Sequence, residues 1–114
     1  MSRFFALFAI PARVIDEWVK STPEDKRQAM SEEMMGAWQK WMAENGKYIV
    51  DRGAPLGKTK RVTAKGVGDI RNDLNWYLIL EAESHEVAAG IFTTHPHLQI
   101  PEASVEIMAI PIQP

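Results

Sequence analysis

Three groups of residues have types and spacings that could support chemistry, and a histidine pair is the first. His95 and His97 flank Pro96, and histidine can serve as acid, base or metal ligand near neutral pH. Two residues apart in an extended loop, the two side chains would point in opposite directions, so we expect no shared metal. The alternative is an ordinary helix end, where histidine complements the negative end of the helix dipole and proline stops the helix.

An aspartate beside a flexible loop is the second candidate. Asp51 ends a predicted strand and is followed by Gly53 and Pro55, which allow the backbone to approach a ligand closely. A carboxylate in such a position can act as a general base. The alternative is that Asp51 caps its own turn or pairs with Arg52 or Arg71.

A helix rich in tryptophan and methionine is the third candidate. Its apolar positions recur at helical spacing: Met30, Met34, Ala37, Trp38, Trp41 and Met42. Such side chains suit an apolar small-molecule pocket between a helix and a sheet, although ordinary core packing explains them too. The predicted ligand-binding residues are Met34, Trp38, Trp41 and Trp76.

Composition narrows the function classes. The 114 residues indicate one domain, 1–114, and the net charge of −2 argues against nucleic-acid binding. Without cysteine there is no disulfide, thiolate nucleophile or cysteine-ligated metal, which suits a cytoplasmic protein. The apolar run 4–10 is too short to span a membrane. No nucleotide or metal motif stands in a recognisable context, so we expect no cofactor and no metal.

The periodicity of apolar residues predicts four main strands and three helices. A polar N-cap at Thr22 and a left-handed stop at Asn45 and Gly46 bound the long helix. A weaker strand over 58–62, within the basic run 58–61, precedes a hairpin turn over 65–68; that basic run is either a solvated loop or an anion site. The predicted strands are 4–10, 48–51, 76–80 and 105–110, and the helices are 11–19, 22–44 and 84–94.

This order is βαββαβ, the ferredoxin-like split βαβ pattern, an α+β fold with an antiparallel sheet and both major helices on one face. Strands 4–10 and 76–80 are apolar on both faces. One face would therefore stay uncovered, and the simplest cover is a second copy of the same sheet about a two-fold axis. We expect a homodimer joined through its sheet faces, with a barrel-like shared core.

The chain resembles the YciI-like family, also called YCII-related or DGPF, over nearly its whole length. Asp51 to Leu56 is similar to the Asp-Gly-Pro-Phe signature, with Arg52 and Ala54 as departures from it. The other matching segments are Phe4-Phe5-Ala6-Leu7-Phe8, Glu32-Glu33-Met34-Met35, Glu81-Ala82-Glu83-Ser84 and His95-Pro96-His97.

The resemblance implies a dimeric α+β barrel whose biochemical role is mostly unassigned. In the typical pattern of that family, a helix histidine and an aspartate before proline form a candidate acid/base pair. Met34 and His95 stand at those two positions here. The chain therefore looks like a different subgroup on the same fold, and the family's chemistry is not carried over to it.

Three functional hypotheses follow. In the first, a pocket holds a small, partly apolar molecule, with Asp51 and His97 as catalytic acid/base residues, His95 as a weaker candidate, and Trp38 and Trp41 as walls. In the second, the chain is a non-catalytic regulatory or interaction module acting as a homodimer. In the third, the dimer is purely structural, and its core is filled with no cavity.

Overall fold

The computed structural model describes residues 1–111 and has a mixed α+β architecture. Three 3-10 turns, Gly46–Tyr48, Phe92–Thr94 and Pro96–Gln99, join the main elements. In chain order those elements are β1 (Ser2–Ala9), α1 (Ala12–Ser21), α2 (Glu24–Glu44), β2 (Ile49–Pro55), β3 (Thr59–Thr63), β4 (Gly66–Ile70), β5 (Leu74–Ala82), α3 (His85–Ile91) and β6 (Ser104–Ile110).

Four strands form one sheet in the order β2-β5-β1-β6, and every neighbouring pair is antiparallel. The four main strands and three helices expected from the sequence are therefore present. β3 and β4 pair only with each other and form a separate hairpin. Among the helices within residues 1–111, none combines the length and apolar character needed to cross a membrane.

One face of the sheet carries the core. Because side chains alternate along a strand, every second residue of the two central strands faces α2 and α3. Trp41 and Met42 from α2 and Ala88 from α3 complete this core. The buried strand residues are Phe4, Ala6, Phe8, Leu78, Leu80 and Ala82.

The opposite face, which we call the open face, has an apolar centre but lies at the surface. Phe5 stacks on Tyr77 there, with ring centroids 5.7 Å apart and planes 5° from parallel. The molecule is only 19 Å thick, which is the depth of one sheet and one helical layer. The apolar centre consists of Phe5, Leu7, Tyr77, Ile79 and Met108, and the charged residues on the same face are Asp51, Glu106 and the ion pair Arg3–Glu81.

The ends of α2 differ from the sequence-based expectation. The N-cap is Pro23 rather than Thr22, and no side chain caps this end. At the other end, Asn45 has a φ of −113°, so the predicted left-handed stop is wrong. The backbone N–H and the side-chain amide of Asn45 both donate to the Trp41 carbonyl, at 3.0 Å and 2.9 Å. With that carbonyl satisfied, the helix ends without a left-handed residue.

Strand β2 continues to Pro55 instead of ending at Asp51 as predicted. Two register shifts along its pairing with β5 absorb the irregular residues, and β2 is an edge strand, where a proline breaks few ladder bonds. Gly53 adopts a φ of +69°, and a Cβ at this position would lie 1.5 Å from the Tyr77 carbonyl oxygen. Only glycine allows β2 to approach β5 this closely.

The hairpin is longer than expected. β3 occupies the predicted short strand, but the turn predicted over 65–68 is wrong, because the chain turns at Ala64 and Lys65 and β4 begins at Gly66. Gly66, with a φ of +132°, takes the backbone conformation that lets the strand return after two residues.

The third helix is shorter than the predicted 84–94. Ser84 caps its start by accepting a hydrogen bond from the Val87 N–H at 3.1 Å, and α3 ends at Ile91. Two 3-10 turns follow, and the second begins at Pro96. The chain therefore turns at Pro96 instead of continuing as an extended loop, and the rings of His95 and His97 both contact Phe8, so the expectation that they point in opposite directions is wrong.

Candidate functional site

The predicted histidines and tryptophans meet in one cluster between α2 and the sheet. His95 is the centre of this aromatic–histidine cluster, with ring centroids 4.4 Å from Trp38, 4.5 Å from Trp41 and 4.9 Å from Phe8. These distances are those of rings in contact. The members of the cluster are Phe8, Trp38, Trp41, Trp76, Phe92, His95 and His97.

Local sequence positions the His95 ring. Pro96 disfavours helical backbone at the preceding residue, and His95 is accordingly extended, with φ −68° and ψ 134°. In this conformation it is the N-cap of the following 3-10 turn, and its Nδ1 accepts a hydrogen bond from the His97 N–H at 3.0 Å. Since Nδ1 is the acceptor, the proton of neutral His95 is assigned to Nε2.

The second histidine closes the cluster against the sheet. His97 Nε2 donates to the carbonyl oxygen of Ala9, at the end of β1, over 3.0 Å. Its ring lies edge-on to Phe8 with centroids 5.1 Å apart. Both histidines are only 2% exposed, and His95 directly follows the 3-10 turn Phe92–Thr94 at the end of α3.

Burial controls the protonation of both rings. Loss of solvent, with a smaller contribution from neighbouring His97, lowers the pKa of His95 to about 3. Burial also lowers the pKa of His97, against the opposite pull of the Ala9 and Ser104 carbonyls. Both rings are therefore neutral at physiological pH. A base with a pKa near 3 accepts protons poorly at pH 7.

Two buried N–H groups in this cluster have no hydrogen-bond partner among the residues that the structure describes. They are Nε2 of His95 and Nε1 of Trp41. An unpaired buried donor costs about 1–3 kcal/mol. Within residues 1–111, the Asn75 side-chain oxygen is the other buried side-chain atom without a partner, and an acceptor oxygen is the group that would complement the two N–H donors.

The chain matches none of the protein-family models and none of the curated proteins with which it was compared.

The other predicted catalytic residue lies elsewhere. Asp51 is exposed and pairs in register with Ile79, which places it on the open face, whereas His97 lies on the helix-covered face. The Asp51 carboxylate accepts a hydrogen bond from the Gly53 N–H at 2.8 Å, as the turn-capping alternative predicted. The structure does not bring Asp51 and His97 together, and their catalytic roles stay a prediction.

Trp76, a member of the cluster, and Met34 are the remaining predicted ligand-binding residues. Trp76 packs edge-on to Trp38 with centroids 5.3 Å apart, and its indole N–H donates to the Arg52 carbonyl at 3.0 Å. Met34 is half-buried on α2, one turn before Trp38. Within residues 1–111, no three acidic or histidine side chains are grouped as a metal site would require.

Sequence reasoning singled out five of the seven members of the cluster and did not single out Phe8 or Phe92. Two shallow surface depressions are present, one along the hairpin and one beside α3, and Phe92 of the cluster contributes to the lining of the second. The rings that were expected to be pocket walls instead contact one another. No sequence signal distinguishes these two states, because tryptophan and methionine suit a cavity wall and a filled core equally well.

Proposed function

We propose that this chain is a non-catalytic interaction module that works as a homodimer joined through its open face. The observation that carries the proposal is the apolar open face, with the stacked rings of Phe5 and Tyr77 and the side chain of Met108, which is 42% exposed. A contiguous apolar patch of this kind on a soluble protein marks a site of protein contact.

The strand order supports the same proposal. The sheet order β2-β5-β1-β6, with every neighbouring pair antiparallel and the β3–β4 hairpin before β5, supports our proposal that the fold is a ferredoxin-like split βαβ fold. In this proposal, two such sheets pack face to face about a two-fold axis and form a dimeric α+β barrel. The resemblance to the YciI-like family favours the same assembly.

The candidate site favours an interaction role over catalysis. The rings of the aromatic–histidine cluster contact one another, and the low pKa of His95 makes it a poor base at neutral pH. Asp51 lies across the sheet from His97 and already accepts a local hydrogen bond. An acid/base mechanism would need both side chains to contact the same substrate molecule.

The mass of the purified protein in solution tests the proposal directly. Light scattering coupled to size-exclusion chromatography is expected to give twice the 12.9 kDa of one chain. A single species with the mass of one chain, over the whole accessible concentration range, would refute a dimer.

The unpaired donors of His95 and Trp41 favour a second candidate function. A small, partly apolar molecule with an acceptor oxygen would satisfy both N–H groups if the rings separated to admit it. Titration with acetophenone, followed through the indole N–H resonance of Trp41 and assigned with Trp41→Phe, tests this. A saturable shift supports binding, whereas an unchanged resonance excludes this ligand class.

A further inference from the structure

The β3–β4 hairpin, which we call the arm, projects from the body of the protein. Nearly all of its side chains are exposed, and the opposed pair Val62 and Val67 are 75% and 67% exposed. A two-stranded hairpin without further packing is marginally stable in water. The exposed apolar pair on the arm therefore indicates a surface that packs on another protein surface.

The pairing register of β3 and β4 places the side chains of the arm on two different faces. Val62 and Val67 share one face with the ion pair between Lys60 and Asp69. On the other face, Arg61 lies opposite Gly68, where there is no side chain to cover it. One face thus offers an apolar pair next to a balanced ion pair, and the other offers an unshielded positive charge.

The base of the arm is tied to the body, so the arm has a defined direction. Arg71 makes two hydrogen bonds to the Asp16 carboxylate on α1, at 2.7 Å and 2.9 Å. Asn72 donates to the Thr59 hydroxyl at 3.2 Å. The radius of gyration of 16.0 Å exceeds the roughly 13 Å of a compact domain of this length, while the thickness stays at 19 Å. The arm therefore extends in the plane of the sheet and leaves the open face uncovered.

Charge is divided unequally between the arm and the rest of the chain. Residues 58–70 contain four basic side chains and one acidic side chain, a formal charge of +3. The other nine basic and fourteen acidic residues leave −5 on the body. The surface that best complements the arm electrostatically is hence the body of another copy of this chain.

The area of the open face also favours a second copy of this chain as the partner of the arm. Four strands about 4.8 Å apart and about seven residues long have a flat footprint of roughly 450 Å². One face of the arm has a footprint of roughly 160 Å² by the same measure. Each chain would present its own arm and receive its partner's, which would enlarge the footprint of the contact by about 70%.

We infer that the arm of each chain reaches across and packs on the body of a second copy, with the Val62–Val67 face against that body and the net positive charge of the arm attracted to its net negative charge. This inference rests on the proposed homodimer and adds a second, reciprocal contact to it. The arm thereby enlarges the interface that the sheet face forms.

Site-specific cross-linking tests this contact, because the chain has no cysteine of its own. Val67→Cys carries benzophenone-maleimide at the arm tip, and Val19→Cys, on the exposed side of α1, is the matched control. Mixed light and ¹⁵N-labelled chains separate contacts between copies from contacts within one. Efficient cross-links between copies from position 67, mapped to acidic segments of the body, support the inference. If position 67 forms cross-links between copies no more efficiently than position 19, the inference is wrong, and the arm would then bind a different acidic partner.

The affinity of the dimer supplies the second test. The double variant Val62→Thr, Val67→Thr keeps the β-branched shape but removes apolar contact. Four altered side chains per dimer are expected to weaken association about tenfold to a hundredfold. If the natural chain dimerises and this variant dimerises equally well, the arm inference is wrong and the proposed function stands. If the natural chain is a monomer, both are wrong.

Discussion

A lysine at position 108 is the most direct perturbation of the open face. Met108 lies on β6 opposite Phe5 and is 42% exposed. Burying a whole methionine contributes about 1.5–3 kcal/mol, so burying its exposed part contributes about 1 kcal/mol per chain. In the proposed dimer, two-fold symmetry applies this loss twice. Forcing an ammonium group into the interface costs at least about 1 kcal/mol more per chain.

Together these terms disfavour the Met108→Lys dimer by at least about 4 kcal/mol, which raises the dissociation constant about 1,000-fold. The fold of the single chain should tolerate the change, because position 108 is exposed there and strand propensities differ by only about 1 kcal/mol. Sedimentation velocity over a dilution series measures the constant, and the unfolding midpoint of the monomer checks the fold.

Met35→Lys is the matched control, since Met35 is 61% exposed on α2, on the helical side of the molecule. It should leave the dissociation constant within a factor of about two. If Met108→Lys weakens the dimer no more than Met35→Lys does, the open face is not the interface, and the argument from its apolar residues is wrong.

Three further predictions concern the fold and the aromatic–histidine cluster. Gly53→Ala should destabilise the chain by about 4 kcal/mol or more, because its Cβ would meet the Tyr77 carbonyl at 1.5 Å; Gly36→Ala, which meets nothing within 4 Å on α2, should instead stabilise it by about 1 kcal/mol in denaturant titration. Between about pH 3 and pH 6.5, His95 binds a proton in the unfolded chain but not in the folded one, so its contribution to stability is present above pH 6.5 and is lost as the pH falls toward about 3. This loss lowers the unfolding free energy by about 2 kcal/mol from pH 7.5 to pH 5. His95→Asn keeps an acceptor near Nδ1 but does not titrate, so its unfolding free energy should fall by about 2 kcal/mol less over this range than that of the natural chain; an equal fall would contradict the assigned burial. Ser84→Ala should lower the unfolding free energy by about 1 kcal/mol through loss of the α3 cap, and Ser84→Asp should restore it.

The sequence predicted most of the regular structure because the signals are local. Strand β1 was readable from the apolar residues on both of its faces, and Ser84 marked the start of α3. The predicted ends of helices and strands were wrong where another interaction outweighed the local sequence signal. Asn45 ends α2 by bonding back to Trp41 rather than by turning left-handed, and β2 runs past Gly53 because pairing with β5 outweighs the loop preference of glycine.

The candidate site was only partly predictable. Residue types identified the right aromatic and histidine side chains, since these are the groups that sequence periodicity directs toward the sheet. Whether they surround a cavity or fill it depends on ring-to-ring distances, which periodicity does not contain. The pairing of Asp51 with His97 failed in the structure for a similar reason. A register shift between Ile49 and Asp51 puts Asp51 opposite Ile79, on the open face.

Alone, the sequence determined the α+β class, the two apolar faces of the central strands and five of the seven members of the aromatic–histidine cluster, because each follows from residue types and their spacing along the chain. Tertiary structure decided that His95 and His97 lie in one cluster with Phe8 and Phe92, that both buried rings are neutral and that the arm projects from the body. These properties depend on contacts between distant segments. Desolvation of His95 requires Trp38, Trp41 and Phe8 around it at once, and only the folded chain brings those rings together.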